Sequence, residues 1–432
     1  MKKPLVLTAV LLFLASFLVN GCGKLKSQGA SPEPIEDLNA LGWFKQGVSL
    51  EQAARYEEAL TAYSRSIEMD PGFSEAWYKR GLMREIQGDP ARAAADYTEA
   101  VNLYPRFTEA YLKRGVVFKR TKKYDQAIAD FTRVLQIEPG HARAYNFRGL
   151  VWDEKGQPDR AVADFTKALE TDPDYAVALY NRAGVLAEQG RLDQAIADYT
   201  VALALKPEFA KAYNDRGLVW EQRNQYDRAL ADYTKALQIN SRLSEAYYNR
   251  GALQYDLGEY DASVADFTGF LEINPRHGKA LNKRGLARFR KGDLVPAIAD
   301  FTKALEMDPA FGEAYLNRGS AWDSKGDYDL ALVDFNTYLA MNPPTAEAYN
   351  RRGLVWSKMG NYDRAIADFG QALALNPGYD QAYFNRGFAW DQKGNVHEAL
   401  SDVRKALSLK PHDTTYRKVM SALEGQLRGK KP

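Results

Sequence analysis

The stretch YNRRGLVWSKMGNYDRAIADF, Tyr349 to Phe369, reads as one helix, a glycine turn and the start of a second helix. It decides the fold because close variants recur, as YNFRGLVWDEKGQPDRAVADF at Tyr145–Phe165 and YNDRGLVWEQRNQYDRALADY at Tyr213–Tyr233. Aligned on itself, the chain is a 34-residue unit repeated eleven times from Ala40 to Asp413 without insertion or deletion. A length of 432 residues would otherwise suggest several domains with separate cores. A fixed period of this size instead means short helix pairs that bury their apolar faces by stacking on neighbours.

In the unit Ala346 to Tyr379, Tyr349 stands at position 4, Gly353 at 8, Tyr362 at 17, Ala365 at 20, Phe369 at 24, Ala372 at 27 and Pro377 at 32. This pattern resembles the tetratricopeptide repeat. The resemblance implies an all-α fold, an α-solenoid in which antiparallel helix pairs form a right-handed superhelix over residues 40–413. Two helices approach closely only where side chains are small, so Gly353 is expected to face Ala365. Gly360 turns the chain, and Pro377 falls just past the second helix. Ala183, Lys122, Asn224 and Ser241 depart from the pattern and should each soften one junction. After the last unit, Tyr416, Val419, Leu423 and Leu427 predict a capping helix over 414–427, with a basic tail at 428–432.

Position 7 is arginine in ten consecutive units, from Arg80 to Arg386, and sixteen residues after each stands an aspartate, from Asp96 to Asp402. The first unit has Gln46 and Ala62 instead, so both members are absent together. In an antiparallel hairpin positions 7 and 23 lie opposite one another. A half-buried arginine needs such a carboxylate, and a fork of hydrogen bonds would fix the register of the helices. The pairs therefore read as scaffold.

By the same resemblance the first helices line a concave surface. Asn146, Asn214, Asn282 and Asn350 fall at position 5, and Asn181, Asn249, Asn317 and Asn385 at position 6 of the intervening units, so the local period is 68. An asparagine offers a donor and an acceptor, the pair that holds a peptide backbone whatever its sequence. The row resembles the asparagine ladder of the superhelical domain of the nucleocytoplasmic sugar-transferring enzyme; the competing reading is that these side chains bond to neighbouring units. Tyr180, Tyr248, Tyr255 and Phe384 are candidate pocket aromatics of a peptide-binding groove, or else core residues between first helices. The first units offer Lys45, Lys79, Lys113, Lys119 and Arg120, followed by Asp153, Glu154, Glu188, Asp215 and Glu221, which suits a partner with an acidic end. The carboxylate clamp of chaperone-binding relatives is not expected: no unit has lysine at 5 or asparagine at 9.

The opening MKKPLVLTAVLLFLASFLVNGC reads as a signal peptide, residues 1–21, with two lysines before an apolar run. Val19, Gly21 and Cys22 resemble a bacterial lipobox, which implies cleavage before Cys22 and attachment of lipid, including palmitate, there. Gly23 favours the outer membrane. Residues 22–39, with Pro32 and Pro34, read as a lipidated tether. A secreted or periplasmic protein is the alternative.

The chain carries 58 basic and 56 acidic residues, and loss of Lys2 and Lys3 with the leader brings the remainder to zero. That balance argues against nucleic acid as a partner. One cysteine excludes an intramolecular disulfide or a thiolate cluster, the four histidines stand at no metal-ligand interval, and no HExxH, GxxxxGK or GxSxG occurs. Neither metal, cofactor nor catalysis is expected. The function expected is a membrane-tethered scaffold or adaptor of the bacterial envelope, docking proteins or extended peptides in its groove. The alternative is a structural envelope protein that self-associates through its outer face or ends.

Overall fold

The computed structural model describes residues 38–429. The signal peptide, Cys22, the tether up to residue 37 and the last residues of the basic tail lie outside the described residues. The described chain is entirely helical, and two compact units divide at Arg223 and Asn224.

The first unit holds α1 (Ala40–Gln52), α2 (Tyr56–Met69), α3 (Ser74–Ile86), α4 (Pro90–Leu103), α5 (Thr108–Arg120), α6 (Tyr124–Ile137), α7 (Ala142–Glu154), α8 (Pro158–Thr171), α9 (Ala176–Glu188), α10 (Leu192–Leu205) and α11 (Ala210–Gln222). The second holds α12 (Tyr226–Ile239), α13 (Ser244–Asp256), α14 (Tyr260–Ile273), α15 (Gly278–Lys291), α16 (Leu294–Met307), α17 (Gly312–Lys325), α18 (Tyr328–Met341), α19 (Ala346–Lys358), α20 (Tyr362–Leu375), α21 (Asp380–Gln392), α22 (Val396–Leu409) and α23 (Thr414–Gly429). Within each unit every helix packs on the next in antiparallel pairs, an all-α solenoid as the period implies.

In most pairs the second helix is the more amphipathic, as α6 is beside α5 and α8 beside α7. In α6 the buried set Ala127, Phe131, Val134 and Leu135 falls at intervals of four, three and one, which is one face of a helix. Its first turn carries Asp125, favourable at a helix N-terminus. Proline opens α4 and α8, where its missing amide hydrogen breaks no bond. The turn between helices needs a left-handed residue, and Gly360 supplies it at φ 76°. Lys122 and Asn224 take the same conformation at φ 58° and 57°, so the geometry of the turn is kept at the cost of a Cβ in that region.

The close approach of the paired helices differs from the expected one. A Cβ on Gly353 would lie 2.8 Å from Cε1 of Phe369, and one on Gly115 would lie 2.7 Å from Cε1 of Phe131. The glycine thus makes room for the aromatic at position 24, not for Ala365. The reason is directional: a helical side chain leans toward its own N-terminus and covers the turn before its Cα. Phe131, Phe165, Phe301 and Phe369 are fully buried under those glycines.

At the far end α23 lies on α22, with Leu423 packed among Val396, Ala399, Leu400 and Val403. Phe384 stacks on Tyr416 at 4.6 Å between ring centroids, and the Tyr416 hydroxyl donates to Asp380 at 2.7 Å.

Candidate docking surface

Nine of the ten arginine–aspartate pairs fall within a single unit, and all nine are formed; Arg216 and Asp232 fall in different units. Each is a two-bond fork. In Arg114, Nε donates to Asp130 Oδ2 at 2.9 Å and Nη2 to Oδ1 at 2.7 Å. Burial pushes the carboxyls of Asp130 and Asp334 above their usual range, against the pull of Arg114 and Arg318. The bond to Asp164 raises Arg148, and that to Asp368 raises Arg352. The aspartates are 1–8% exposed, so they belong to the interior of the array.

One partner was not anticipated from the sequence. The remaining nitrogen, Nη1, reaches back to position 25 of the preceding repeat: Arg114 donates to Thr98 at 3.0 Å, Arg148 to Thr132 at 3.0 Å and Arg318 to Thr302 at 3.1 Å. Each of these guanidiniums therefore ties its own helix pair to the one before. Asn336 takes the threonine's place for Arg352 at 2.7 Å, and Gly370 offers Arg386 no side chain at all. In the first repeat, Gln46 Oε1 is buried with no hydrogen-bond partner among the described residues.

Six of the eight asparagines pair with each other. Asn181 donates to Asn146 at 2.9 Å, Asn317 to Asn282 at 3.0 Å and Asn385 to Asn350 at 3.0 Å. The position-5 members Asn146, Asn214, Asn282 and Asn350 are only 2–4% exposed, while Asn181, Asn249, Asn317 and Asn385 are half-buried. The 68-residue alternation in the sequence is thus the signature of an amide linking successive first helices. The position-6 side chains are the more exposed members of these pairs, and Asn181, Asn317 and Asn385 each donate one N–H to the pair.

The aromatics at position 5 are half-buried and packed. Tyr180 lies against Tyr199 and Phe209, and Tyr248 against Phe267 and Phe270. Phe384 faces Tyr416. Tyr255, at position 12, accepts from Arg290 Nε at 3.2 Å and lies near Lys283. Three of the five cations of the early repeats are matched by neighbours: Lys79 by Glu51 at 3.2 Å, Arg120 by Glu85 at 3.7 Å and Lys119 by Glu154. Burial, with Glu154 beside it, raises the carboxyl of Asp153, and burial with Asp153 nearby raises that of Glu188.

Among the described residues no three of His, Cys, Asp and Glu are grouped to hold a metal, and no helix is long and apolar enough to cross a membrane. Models of the tetratricopeptide repeat match residues 44–208 and 248–346 in overlapping segments, and also 346–379 and 380–413; a further repeat model of the same type matches 221–258. No curated protein matches the chain. Among solved structures, yeast Tom70 is 18% identical, with 90% of this chain and 96% of that chain covered and a TM-score of 0.40. A repeat protein of Parabacteroides merdae is 22% identical, covering 57% and 98%, with a TM-score of 0.42. Pseudomonas aeruginosa pilF is 23% identical, covering 48% and 94%, with a TM-score of 0.44.

Proposed function

We infer that this chain, which belongs to the tetratricopeptide repeat family, is a protein–protein interaction scaffold held at the bacterial envelope by lipid on Cys22, with the inner faces of its first helices as the docking surface. The observation that carries the docking reading is the division of labour among polar residues. Arginine, aspartate, threonine and the position-5 asparagines satisfy one another inside the array, whereas the residues that vary most between repeats sit on the first helices at positions 6, 12 and 13. A framework that is closed on itself leaves those positions free to vary with the partner. Asn181, Asn249, Asn317 and Asn385, with Tyr255, are the residues through which an extended peptide would be held.

The lipid reading rests on the resemblance of residues 19–22 to a lipobox, and it places the protein at the outer membrane facing the periplasm. Such an anchor concentrates the scaffold beside envelope partners and so raises the effective concentration of each encounter. Crosslinking in intact cells followed by recovery of the chain tests the docking reading. Partners whose crosslinks fall on positions 6, 9, 12 and 13 are expected, and crosslinks confined to the second helices would overturn it.

A second reading, self-association, has one observation in its favour. Val295, Leu330 and Val333 are 65%, 47% and 59% exposed on α16 and α18, at positions that are polar, charged or small in nearly all other repeats. Sedimentation of the wild type against Val333→Glu separates the two, because only an outer-face assembly loses mass in the variant.

A further inference from the structure

On the inner side of the eighth to tenth repeats, within the second unit, the wall is interrupted by a depression of about 340 Å³. Its origin is one side chain. Position 9 is leucine or valine in seven of the eleven repeats, including Leu286 and Leu354 on either side, but Ser320 stands between them. The missing branch leaves Phe335, Phe289 and Leu354 as apolar walls, with Asn350, Arg351 and Tyr379 at the polar edge.

The charges around the depression are already matched. Asp323 takes Lys358 Nζ at 2.7 and 2.8 Å, and Glu347 takes Arg351 Nε at 3.0 Å as well as its Nη2. Arg351 Nη1 donates to Ser320, whose own hydroxyl donates to the Leu316 carbonyl at 2.7 Å. The edges of the guanidinium are therefore engaged while its flat faces remain for stacking. Tyr379 accepts from Asn350 Nδ2 at 3.3 Å and keeps its hydroxyl hydrogen to donate.

We propose that this depression is the anchor site of the docking surface and takes one aromatic side chain with a polar edge, tyrosine or tryptophan, from an extended partner segment. The proposal rests on the docking reading above and names the chemistry of its central contact. A cleft of mixed lining, with three apolar walls and its charges already paired, selects against an ion. A cationic plane beside phenylalanine favours a ring over an aliphatic chain, and the Tyr379 hydroxyl meets the polar edge.

Saturation-transfer NMR on the full mature chain in detergent, with N-acetyl amides of tyrosine, tryptophan, leucine and lysine as probes, tests it. The aromatic amides are expected to bind at least fivefold more tightly than the other two, and Ser320→Leu to weaken them at least tenfold. Leucine at this position is what the neighbouring repeats carry, so the variant should fold. Ser324→Leu, on the exposed rim, is a second plug that decides the matter should Ser320→Leu lose its helicity. Equal binding of all four amides, no binding of the aromatic pair, or unchanged binding in the folded plugged variants would each overturn the anchor. None of these results bears on crosslinked partner recovery, which alone decides the docking reading; a partner recovered equally well by Ser320→Leu removes only the anchor.

Discussion

At the scale of single residues, the repeated arginine is a three-way connector, and its worth is measurable where one contact is altered at a time. Asp300 is 2% exposed and accepts from Arg284 at 2.9 and 2.7 Å and from Arg288 at 2.7 Å. Asp300→Ala leaves two guanidiniums facing a void, and a loss of about 1–4 kcal/mol is expected from urea denaturation, with Asp300→Asn losing less. Gly370 gives the reverse experiment. A Cβ there would meet only Arg386 Nη1, at 3.9 Å, so threonine fits and can supply the missing bond. Alanine at Gly370 should add roughly 0.5–1 kcal/mol by helix propensity alone. Threonine is the poorer helix former, so Gly370→Thr matching or exceeding Gly370→Ala measures the bridge, and falling short by the full propensity difference denies it. The aspartate was legible in the sequence because both partners recur in one unit at a constant offset. The threonine recurs in seven repeats, from Thr98 to Thr302, but its partner lies in the next repeat, and a small hydroxyl on a second helix carries no sign that it is needed there. Asn282 shows the same limit: an amide can hold a peptide or another amide, and only the 35-residue offset between Asn282 and Asn317, one first helix to the next, pointed to the second use.

At the scale of elements, the end of the array depends on how α23 is fastened, since an unpartnered final pair would expose its apolar face. The apolar spacing of Tyr416, Val419, Leu423 and Leu427 made this helix readable; its polar latch was not, because Asp380 lies 36 residues earlier on another helix. Burial opposes ionisation of Asp380, but the bonds from Tyr416 and Lys410 prevail together and hold its carboxyl below the usual range. A carboxyl with a depressed folded-state pKa contributes stability above its unfolded value, and that contribution is lost as pH falls through the folded one. Asp334 has the opposite sign, since burial raises it. Acidification from neutral pH to below the ordinary aspartate range, about 3.9, should therefore loosen α23 in the wild type. Hydrogen exchange of α23 amides is the measurement: protection should fall with acid in the wild type, and be lower but less acid-sensitive in Asp380→Asn. Equal acid sensitivity in both proteins would show that the latch is not what holds the helix.

At the scale of the whole molecule, repetition made most of the fold legible, because a motif read eleven times averages away its local departures. It made the docking surface hard to read for the same reason: a site on a repeat protein is where the pattern is broken, as at Ser320, and one broken position resembles drift until its neighbours are placed around it. The membrane question lies outside the repeats. Residues 22–432 are balanced in charge, which gives no general attraction to an anionic surface, and no helix among the described residues is long and apolar enough to span a bilayer. On the proposed reading, retention at the envelope would come through lipid on Cys22; a single acyl chain gives only marginal, reversible binding, so more than one chain is expected there. Detergent phase partition should place the wild type in the detergent phase and Cys22→Ser in the aqueous phase or in an uncleaved, leader-bearing form. Mass spectrometry distinguishes these, with the wild-type N-terminal peptide expected to begin at Cys22 and to carry more than one chain. A mature protein that begins elsewhere, or a cleaved Cys22→Ser that still partitions into detergent, would dismiss the tether while leaving the scaffold and its joints untouched.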